Sequence, residues 1–349
     1  MNNSPLQCAV LGAGAVGGYV GGMIARAGKP VRILCRQAQR QVFLEKGLRV
    51  DGPQGEFQVP ARAEADSQGE GFVATTDPAE AVSGADLIFV CVKSQDTETL
   101  AQTIAPHVSP SATVILMQNG VRNKDRVEKY LEGPTLLESV VLFNALYLEE
   151  GKVTLTATES VILDSDYQDH PGAQACAELL RDAGILTRFH KNVRGILWTK
   201  LIINLNNGFS ALTGGSLFEG LRDPDVRYVG RALMAEGMAV MRKARIDLEP
   251  IPKVDPARLM YLLRAPGWLA ALVMKIMIKP YQDVQSSTWQ SRVRGRSTEI
   301  DYLSGEIVRL AKEHGTSAPL NEKTLQMVHE HSDDKKTYTP KELRKLLGI

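Results

Sequence analysis

The run Leu6-Gln7-Cys8-Ala9-Val10-Leu11 passes directly into Gly12-Ala13-Gly14-Ala15-Val16-Gly17-Gly18. A short apolar strand that turns on glycines into a helical stretch fixes the first crossover of the chain. Each glycine answers a separate steric demand. Gly12 permits a tight turn, Gly14 lets backbone approach a pyrophosphate, and Gly17 lets the helix pack close to the strand. The helix N-terminus then offers unpaired N–H groups to phosphate oxygens. The arrangement points to a bound dinucleotide; a strand-turn-helix with a structural role alone is the plainer alternative.

Further apolar runs follow at Val31–Cys35, Leu87–Val92 and Thr113–Met117. Runs that are nearly continuous in Val, Ile and Leu belong to strands covered on both faces, as in a parallel sheet. Helical segments lie between them, at Val16–Ala27 and after Asp77-Pro78, an N-cap with Pro at the first helical position. This alternation predicts an α/β doubly wound domain. Leu136–Tyr147 and Lys152–Leu163 are expected to extend its sheet, with an antiparallel sense open to them. From about Val193 long helical patterns take over, at Val193–Asn206, Val226–Ala244, Pro256–Leu263, Thr298–Glu313 and Leu320–His329. The expected organisation is α/β over residues 1–190 and all-α over 191–349, with a charged helical tail from Asp334 that is free to fray.

Composition narrows the function classes. At roughly 100–200 residues per domain, 349 residues allow about two domains. Forty-one basic against 40 acidic residues lack the excess of cations that a nucleic-acid binder carries. Cys8, Cys35, Cys91 and Cys176 are scattered, with no C-x-x-C pair and no His at metal-ligand spacing. They are expected to be buried thiols in a reducing compartment, and no metal is expected. Met1-Asn2-Asn3-Ser4-Pro5 has no basic n-region and does not read as a signal peptide. Trp268 to Ile278 falls short of the roughly 20 apolar residues that cross a bilayer, and Lys275 interrupts it. A cytoplasmic protein is expected.

The second strand ends in Ile33-Leu34-Cys35-Arg36, with Arg40 one turn later and no carboxylate before Glu45. An acidic residue there would favour the ribose 2′-hydroxyl of NAD, whereas an Arg accommodates a 2′-phosphate. A planar guanidinium suits phosphate by geometry, so NADPH/NADP+ is the expected cofactor.

In the second half, Trp198-Thr199-Lys200-Leu201-Ile202-Ile203-Asn204-Leu205-Asn206-Asn207 carries a polar stripe on an apolar helix. At about 100° per residue, Asn204 lies about 40° from Lys200 and Asn207 about 20° to the other side. A helix apolar nearly all round is buried, so the stripe faces a cavity, a ligand or fixed partners. A desolvated Lys has a lowered pKa and is usable as a general acid near neutrality. Alternatively, Lys200 snorkels to solvent and Asn206-Asn207-Gly208 ends the helix. Downstream, Arg296-Ser297-Thr298-Glu299-Ile300-Asp301-Tyr302 reads as a helix start with Ser297 or Thr298 as N-cap. Glu299 would then sit in the first turn, where the helix dipole favours a carboxylate.

The chain resembles the ketopantoate reductase (2-dehydropantoate 2-reductase) family along essentially its whole length. The markers occur in order: the Gly12–Gly17 turn, Arg36, Val92-Lys93, Gln118-Asn119-Gly120, Asn192-Val193-Arg194 through Trp198-Thr199-Lys200-Leu201, Ser286-Ser287, and Thr298-Glu299-Ile300-Asp301-Tyr302. The resemblance implies a Rossmann NADP-binding domain followed by a 6-phosphogluconate-dehydrogenase-like helical domain, with the active site in the cleft between them. It implies NADPH-dependent reduction of the ketone of a branched 2-oxo acid, a step of pantothenate biosynthesis. Lys200 would be the general acid, and Glu299 would bind substrate and help to hold Lys200. Lys93 and Asn119 would contact the cofactor near its nicotinamide end, and Asn204, Asn207 and Ser287 would bind substrate.

Three departures from the family pattern bear on the substrate. Asn207 lies seven residues past the Lys and precedes Gly208, where the family has an Asn eight past it before a Pro. Val284 stands where an Asn is frequent. The chain is also longer than typical members, in part around 265–280, an apolar stretch that would line the pocket, cover it or pack against a second subunit as a homodimer. A paralogous reductase of another, bulkier 2-oxo acid and a non-catalytic NADP-binding protein are the competing readings.

Overall fold

Strand β1 (Cys8–Leu11) sends Cys8 and Val10 to one face of a sheet and Ala9 and Leu11 to the other, and all four are buried. Both faces are therefore apolar, which is why the strand reads as an unbroken hydrophobic run. The computed structural model describes residues 5–53, 55–64, 70–158, 160–214, 223–252, 254–266, 268, 288–289, 295, 298–332 and 336–349. It divides between Val193 and Arg194 into two compact units.

In the N-terminal unit the chain runs from β1 through α1 (Ala15–Arg26), β2 (Val31–Leu34) and α2 (Gln37–Lys46). Strands β3 (Leu48–Gly52), β4 (Gly55–Val59), β5 (Ala61–Arg62) and β6 (Phe72–Thr75) follow. Next come α3 (Pro78–Val82), β7 (Leu87–Val90), α4 (Thr97–Ile104), β8 (Thr113–Leu116) and α5 (Asn123–Val127). The unit closes with β9 (Thr135–Val141), β10 (Asn144–Glu149), β11 (Lys152–Ala157), β12 (Val161–Asp164), α6 (Pro171–Asp182) and β13 (Thr187–His190). The main sheet has the order β13-β12-β9-β8-β7-β1-β2-β6-β5. From β5 to β9 every pairing is parallel; β12 is antiparallel to β9, and β13 is parallel to β12. The chain lays β2, β5 and β6 on one side of β1 and then switches to the other side at β7. Such a reversal opens a crevice beyond the carboxyl ends of β1 and β7.

One core cluster packs α1 and α6 against the sheet through Val20, Ile24, Cys176 and Leu180; the other packs α3, α4 and α5 through Val82, Ile104 and Val127. Each fully buried aliphatic side chain contributes about 1.5–3 kcal/mol by leaving water. The runs Leu136–Tyr147 and Lys152–Leu163 do not simply extend this sheet. Each divides in two. β9 and β12 join the main sheet, whereas β10 and β11 pair with β3 and β4 in a second sheet ordered β10-β11-β3-β4. The first run parts at residues 142–143 and the second after Ala157, and apolar content alone does not show where a strand changes sheets.

The C-terminal unit is helical: α7 (Val193–Asn204), α8 (Asn206–Thr213), α9 (Pro224–Lys243), α10 (Pro256–Leu262), α11 (Ser304–Glu313), α12 (Pro319–Glu330) and α13 (Pro340–Leu347) among the described residues. At Gly237 of α9, a Cβ would lie 2.8 Å from Ile202 Cδ1 and 3.0 Å from Leu205 Cδ1, so α7 and α9 meet closely there. Asn206-Asn207-Gly208 does not end the helix. The chain pauses for one residue at Leu205, which keeps helical dihedrals, and continues as α8. The expected helix over Thr298–Glu313 is interrupted. Ile300–Tyr302 form a 3₁₀ turn, and Leu303 (φ −117°, ψ −92°) separates it from α11.

The tail does not fray either. Thr339 and Glu342 form a capping box at α13, Leu343 is fully buried, and Arg344 Nη1 lies 2.7 Å from Asp225 Oδ1. Its charges mask a small apolar stripe that docks. The stretch 265–280 lies almost wholly outside the described residues, and so do Ser286, Ser287, Val284 and Ser297. Among the described residues no helix is long and apolar enough to cross a membrane, and all four cysteines are free thiols.

Candidate active site

The carboxyl ends of β1, β2, β7 and β8 carry the turns that hold Gly12, Arg36, Lys93 and Asn119, in that order. Neighbouring parallel strands therefore bring these four sequence-distant positions to one edge of the sheet. Gly12 has φ +106°, and a Cβ there would lie 3.0 Å from both the backbone N and Cγ1 of Val92. A side chain at Gly17 would come within 2.0 Å of the Gly12 carbonyl oxygen and 2.9 Å of Cys91 Cβ. These two glycines let α1 close onto the strand edge. Gly14 differs: it is exposed, and a Cβ would meet nothing within 4 Å. It is the N-cap of α1, with no side-chain cap and no acidic residue in the first turn. The first N–H groups of α1 are thus not capped by a side chain. Open space over an uncapped, carboxylate-free helix N-terminus fits a pyrophosphate by shape and by charge.

Arg36 precedes α2 and is exposed, with no hydrogen bond or ion pair from its side chain among the described residues. Its backbone N–H donates to Gln39 Oε1 at 3.2 Å. Gln39 Nε2 in turn donates to the Ala13 carbonyl at 2.8 Å and to the Tyr147 hydroxyl at 2.9 Å. The Tyr147 hydroxyl donates to Glu150 Oε2 at 2.8 Å and accepts from Gly151 N–H at 3.1 Å. Burial pushes that phenol up to about 12, so it stays protonated as the donor to Glu150. Arg40, one turn on, donates from Nε to the Ala74 carbonyl at 2.9 Å. It serves to hold α2 against β6.

The turns after β7 and β8 are joined to each other. Gln118 Nε2 donates to the Val92 carbonyl at 3.0 Å. The Asn119 carbonyl accepts from Ser94 Oγ at 2.7 Å and from Asn123 Nδ2 at 2.6 Å. Half-buried Lys93 and Asn119 project from backbone that these bonds hold fixed. Sequence reading passed over Gln39, Ser94, Asn123 and Tyr147. Only Gln39 left a local signal, its place three residues after the Arg36 N-cap, where Gln or Glu commonly reaches back.

In the C-terminal unit, α7 and the start of α8 are buried except on one strip. From Ile196 to Gly208 the accessible residues are Lys200, Ile203, Asn204, Asn206 and Asn207. Positions 200, 203, 204 and 207 fall on one helical face. Asn206 turns away from it, donating to the Ile203 carbonyl at 3.2 Å and lying against Met234 Sδ at 3.6 Å. Burial lowers the Lys200 ammonium from 10.5 to about 8, and the charge of Glu299 acts in the opposite direction. Because of the break at Leu303, Glu299 is the N-cap of the 3₁₀ turn, with no side-chain capping bond. It lies outside the first turn of α11, so the helix dipole is not its role, and its charge acts on Lys200 instead.

Two family models match this chain, ketopantoate reductase PanE/ApbA over residues 8–165 and its C-terminal part over residues 192–332. The chain belongs to the ketopantoate reductase family. A 2-dehydropantoate 2-reductase of Archaeoglobus fulgidus is 30% identical over 322 residues, which cover 91% of this chain and 95% of its own. Among solved structures, the PanE/ApbA family ketopantoate reductase from Ralstonia eutropha JMP134 is 31% identical with a TM-score of 0.78, covering 95% of this chain and 99% of its own. A D-mandelate dehydrogenase, solved with NADH and anilino(oxo)acetate, also has a TM-score of 0.78 over 95% of this chain and 99% of its own, at 21% identity. The fold of a ketopantoate reductase thus extends to an enzyme named for another substrate.

Proposed function

We propose that this ketopantoate reductase family member reduces the ketone of a 2-oxo acid, 2-dehydropantoate foremost, with NADPH as reductant. The observation that carries the reading is Lys200: a partly desolvated ammonium on the accessible strip of a buried helix, with Glu299 as its counter-charge. When bound, the reduced nicotinamide supplies a hydride to the carbonyl carbon. Negative charge then develops on the carbonyl oxygen. An ammonium whose pKa is near 8 both stabilises that charge and gives up its proton there at neutral pH. Glu299 keeps more of the amine protonated than burial alone would allow. Asn204 and Asn207 share the face of Lys200 and supply amide donors and acceptors for the substrate's carboxylate and hydroxyl.

In the N-terminal unit, the Gly12–Gly17 turn and the start of α1 would hold the pyrophosphate. Arg36 would take the 2′-phosphate, and Lys93 and Asn119 the nicotinamide end. Four free cysteines suit a reducing compartment such as the cytoplasm.

The test is turnover of ketopantoate against a panel of 2-oxo acids, followed by loss of the reduced-nicotinamide absorbance. The highest kcat/KM is expected with ketopantoate, and negligible turnover of it would overturn the assignment. A second reading, a reductase of another 2-oxo acid, is favoured by Val284 in place of a polar residue; a preference for a bulkier, more apolar member of the panel would select it.

A further inference from the structure

Gln39 makes three hydrogen bonds to three different parts of the N-terminal unit, and two of those parts are the proposed anchors of one ligand. Its carbonyl oxygen accepts the backbone N–H of Arg36. Its amide nitrogen spends both protons, one on the Ala13 carbonyl and one on the Tyr147 hydroxyl, so no donor is left over. Tyr147 is nearly fully buried and is itself tied to Glu150 and Gly151. The amide is thereby fixed to the end of the second sheet.

The bond to Ala13 orients backbone as well as holding it. A trans peptide is planar, with its C=O and the following N–H pointing opposite ways. Drawing the Ala13 oxygen towards Gln39 therefore turns the Gly14 N–H away from α2. Gly14 is also where the space around the turn is open. The same side chain thus aims a phosphate-turn N–H and fixes the backbone from which the Arg36 guanidinium projects.

We propose that Gln39 is a positioning residue that sets the spacing between the pyrophosphate turn and Arg36, and so sets the preference for a 2′-phosphorylated dinucleotide over one that lacks the phosphate. The proposal rests on the reading of Arg36 as the 2′-phosphate ligand. Gln39 acts through Ala13 and Arg36. A dinucleotide with pyrophosphate and 2′-phosphate must satisfy both anchors at once, whereas NADH needs only the first. Loosening the strut therefore costs NADPH more than NADH.

The test measures dissociation constants of NADPH and NADH on the full chain without substrate, by tryptophan fluorescence, with melting curves alongside. Gln39→Met keeps the side-chain length and removes all three bonds. It should weaken NADPH binding about tenfold, the scale of one or two hydrogen bonds, and lower the NADPH-over-NADH preference by about threefold or more. Tyr147→Phe keeps the Ala13 and Arg36 bonds and should lower the preference in the same direction by less; it carries the test if Gln39→Met does not fold. Arg36→Ala separates the proposal from the reading beneath it. In the double variant, Gln39→Met should cause no further loss of preference, because the anchor it positions is gone. Equal weakening of both cofactors by Gln39→Met, with Arg36→Ala still abolishing the preference, overturns the positioning role alone. An unchanged preference in Arg36→Ala overturns the 2′-phosphate reading and the proposal with it.

Discussion

Glu299 opposes the effect of burial on Lys200. Burial lowers the ammonium to about 8, and the Glu299 carboxylate pulls it back towards its ordinary value of 10.5. The sign of the pH dependence follows. A general acid works only when protonated, so kcat/KM should hold level below about pH 8 and fall about tenfold per unit above it. Glu299→Gln removes the upward pull, so the falling limb should move to lower pH. A pH profile of kcat/KM for the wild type and the variant checks this, and a limb that stays put or moves up would contradict the coupling.

Lys200→Ala removes the proton donor and leaves the N-terminal turns untouched. General acid–base groups contribute typically 10²–10⁴-fold, so kcat should drop by about that factor while the NADPH dissociation constant changes little. Single-turnover measurements alongside fluorescence titration separate the two. Retained turnover would mean that another group protonates the product.

The first half was legible in sequence because its physics is local. The turn Gly12–Gly17 and the runs ending at Leu11, Leu34, Val90 and Leu116 sit where period, composition and turn residues agree. The polar strip of Lys200, Asn204 and Asn207 came from helical spacing alone. What escaped was tertiary. Nothing near Gln39 announces that Ala13 is its partner, since 26 residues separate them. The break at Leu303 carries no Pro, and the nearby Gly305 lies inside α11 and not at the break. The docking of α13 buries Leu343 and ties Arg344 to Asp225, 119 residues earlier. The resemblance already paired Glu299 with Lys200; what it did not show is the 3₁₀ turn that takes Glu299 out of the first turn of α11.

The glycines of the first turn should separate by phenotype. Gly17→Ala places a methyl 2.0 Å from the Gly12 carbonyl oxygen, and the backbone there must move. Overpacking of this kind costs typically about 1–3 kcal/mol, so both melting temperature and cofactor affinity should fall. At Gly14, φ is −80° and the space is open, so Gly14→Ala should melt within about a degree or two of wild type yet bind both dinucleotides less tightly. If Gly14→Ala bound NADPH and NADH as well as the wild type, no phosphate would lie against that position.

Arg36→Asp exchanges a cation for an anion on an exposed residue whose side chain has no partner among the described residues. Its effect on stability should be small. Against a 2′-phosphate the carboxylate repels, and against a 2′-hydroxyl it accepts a hydrogen bond. NADPH should therefore weaken by about tenfold or more, the range of one charge-assisted bond, while NADH is unchanged or improved. Parallel losses for both would place the 2′-phosphate elsewhere.

The terminal helix offers a test of packing free of the chemistry. Leu343 is fully buried, whereas Leu346, three residues on, is 48% exposed. In a frayed tail the two would be equivalent. With α13 docked they differ: Leu343→Ala should destabilise the C-terminal unit by about 2–5 kcal/mol, and Leu346→Ala by no more than about 0.5 kcal/mol. Arg344→Ala should fall between them. It loses the 2.7 Å contact with Asp225 and the stacking on Tyr228, whose ring centroid lies 4.0 Å from the guanidinium carbon. Such half-exposed pairs contribute only about 0.2–1 kcal/mol. Denaturant melts of the three variants would rank them, and equal midpoints for Leu343→Ala and Leu346→Ala would show that the helix does not pack. The order follows from area removed from water, which the charged sequence from Lys335 to Lys345 conceals behind two leucines one turn apart.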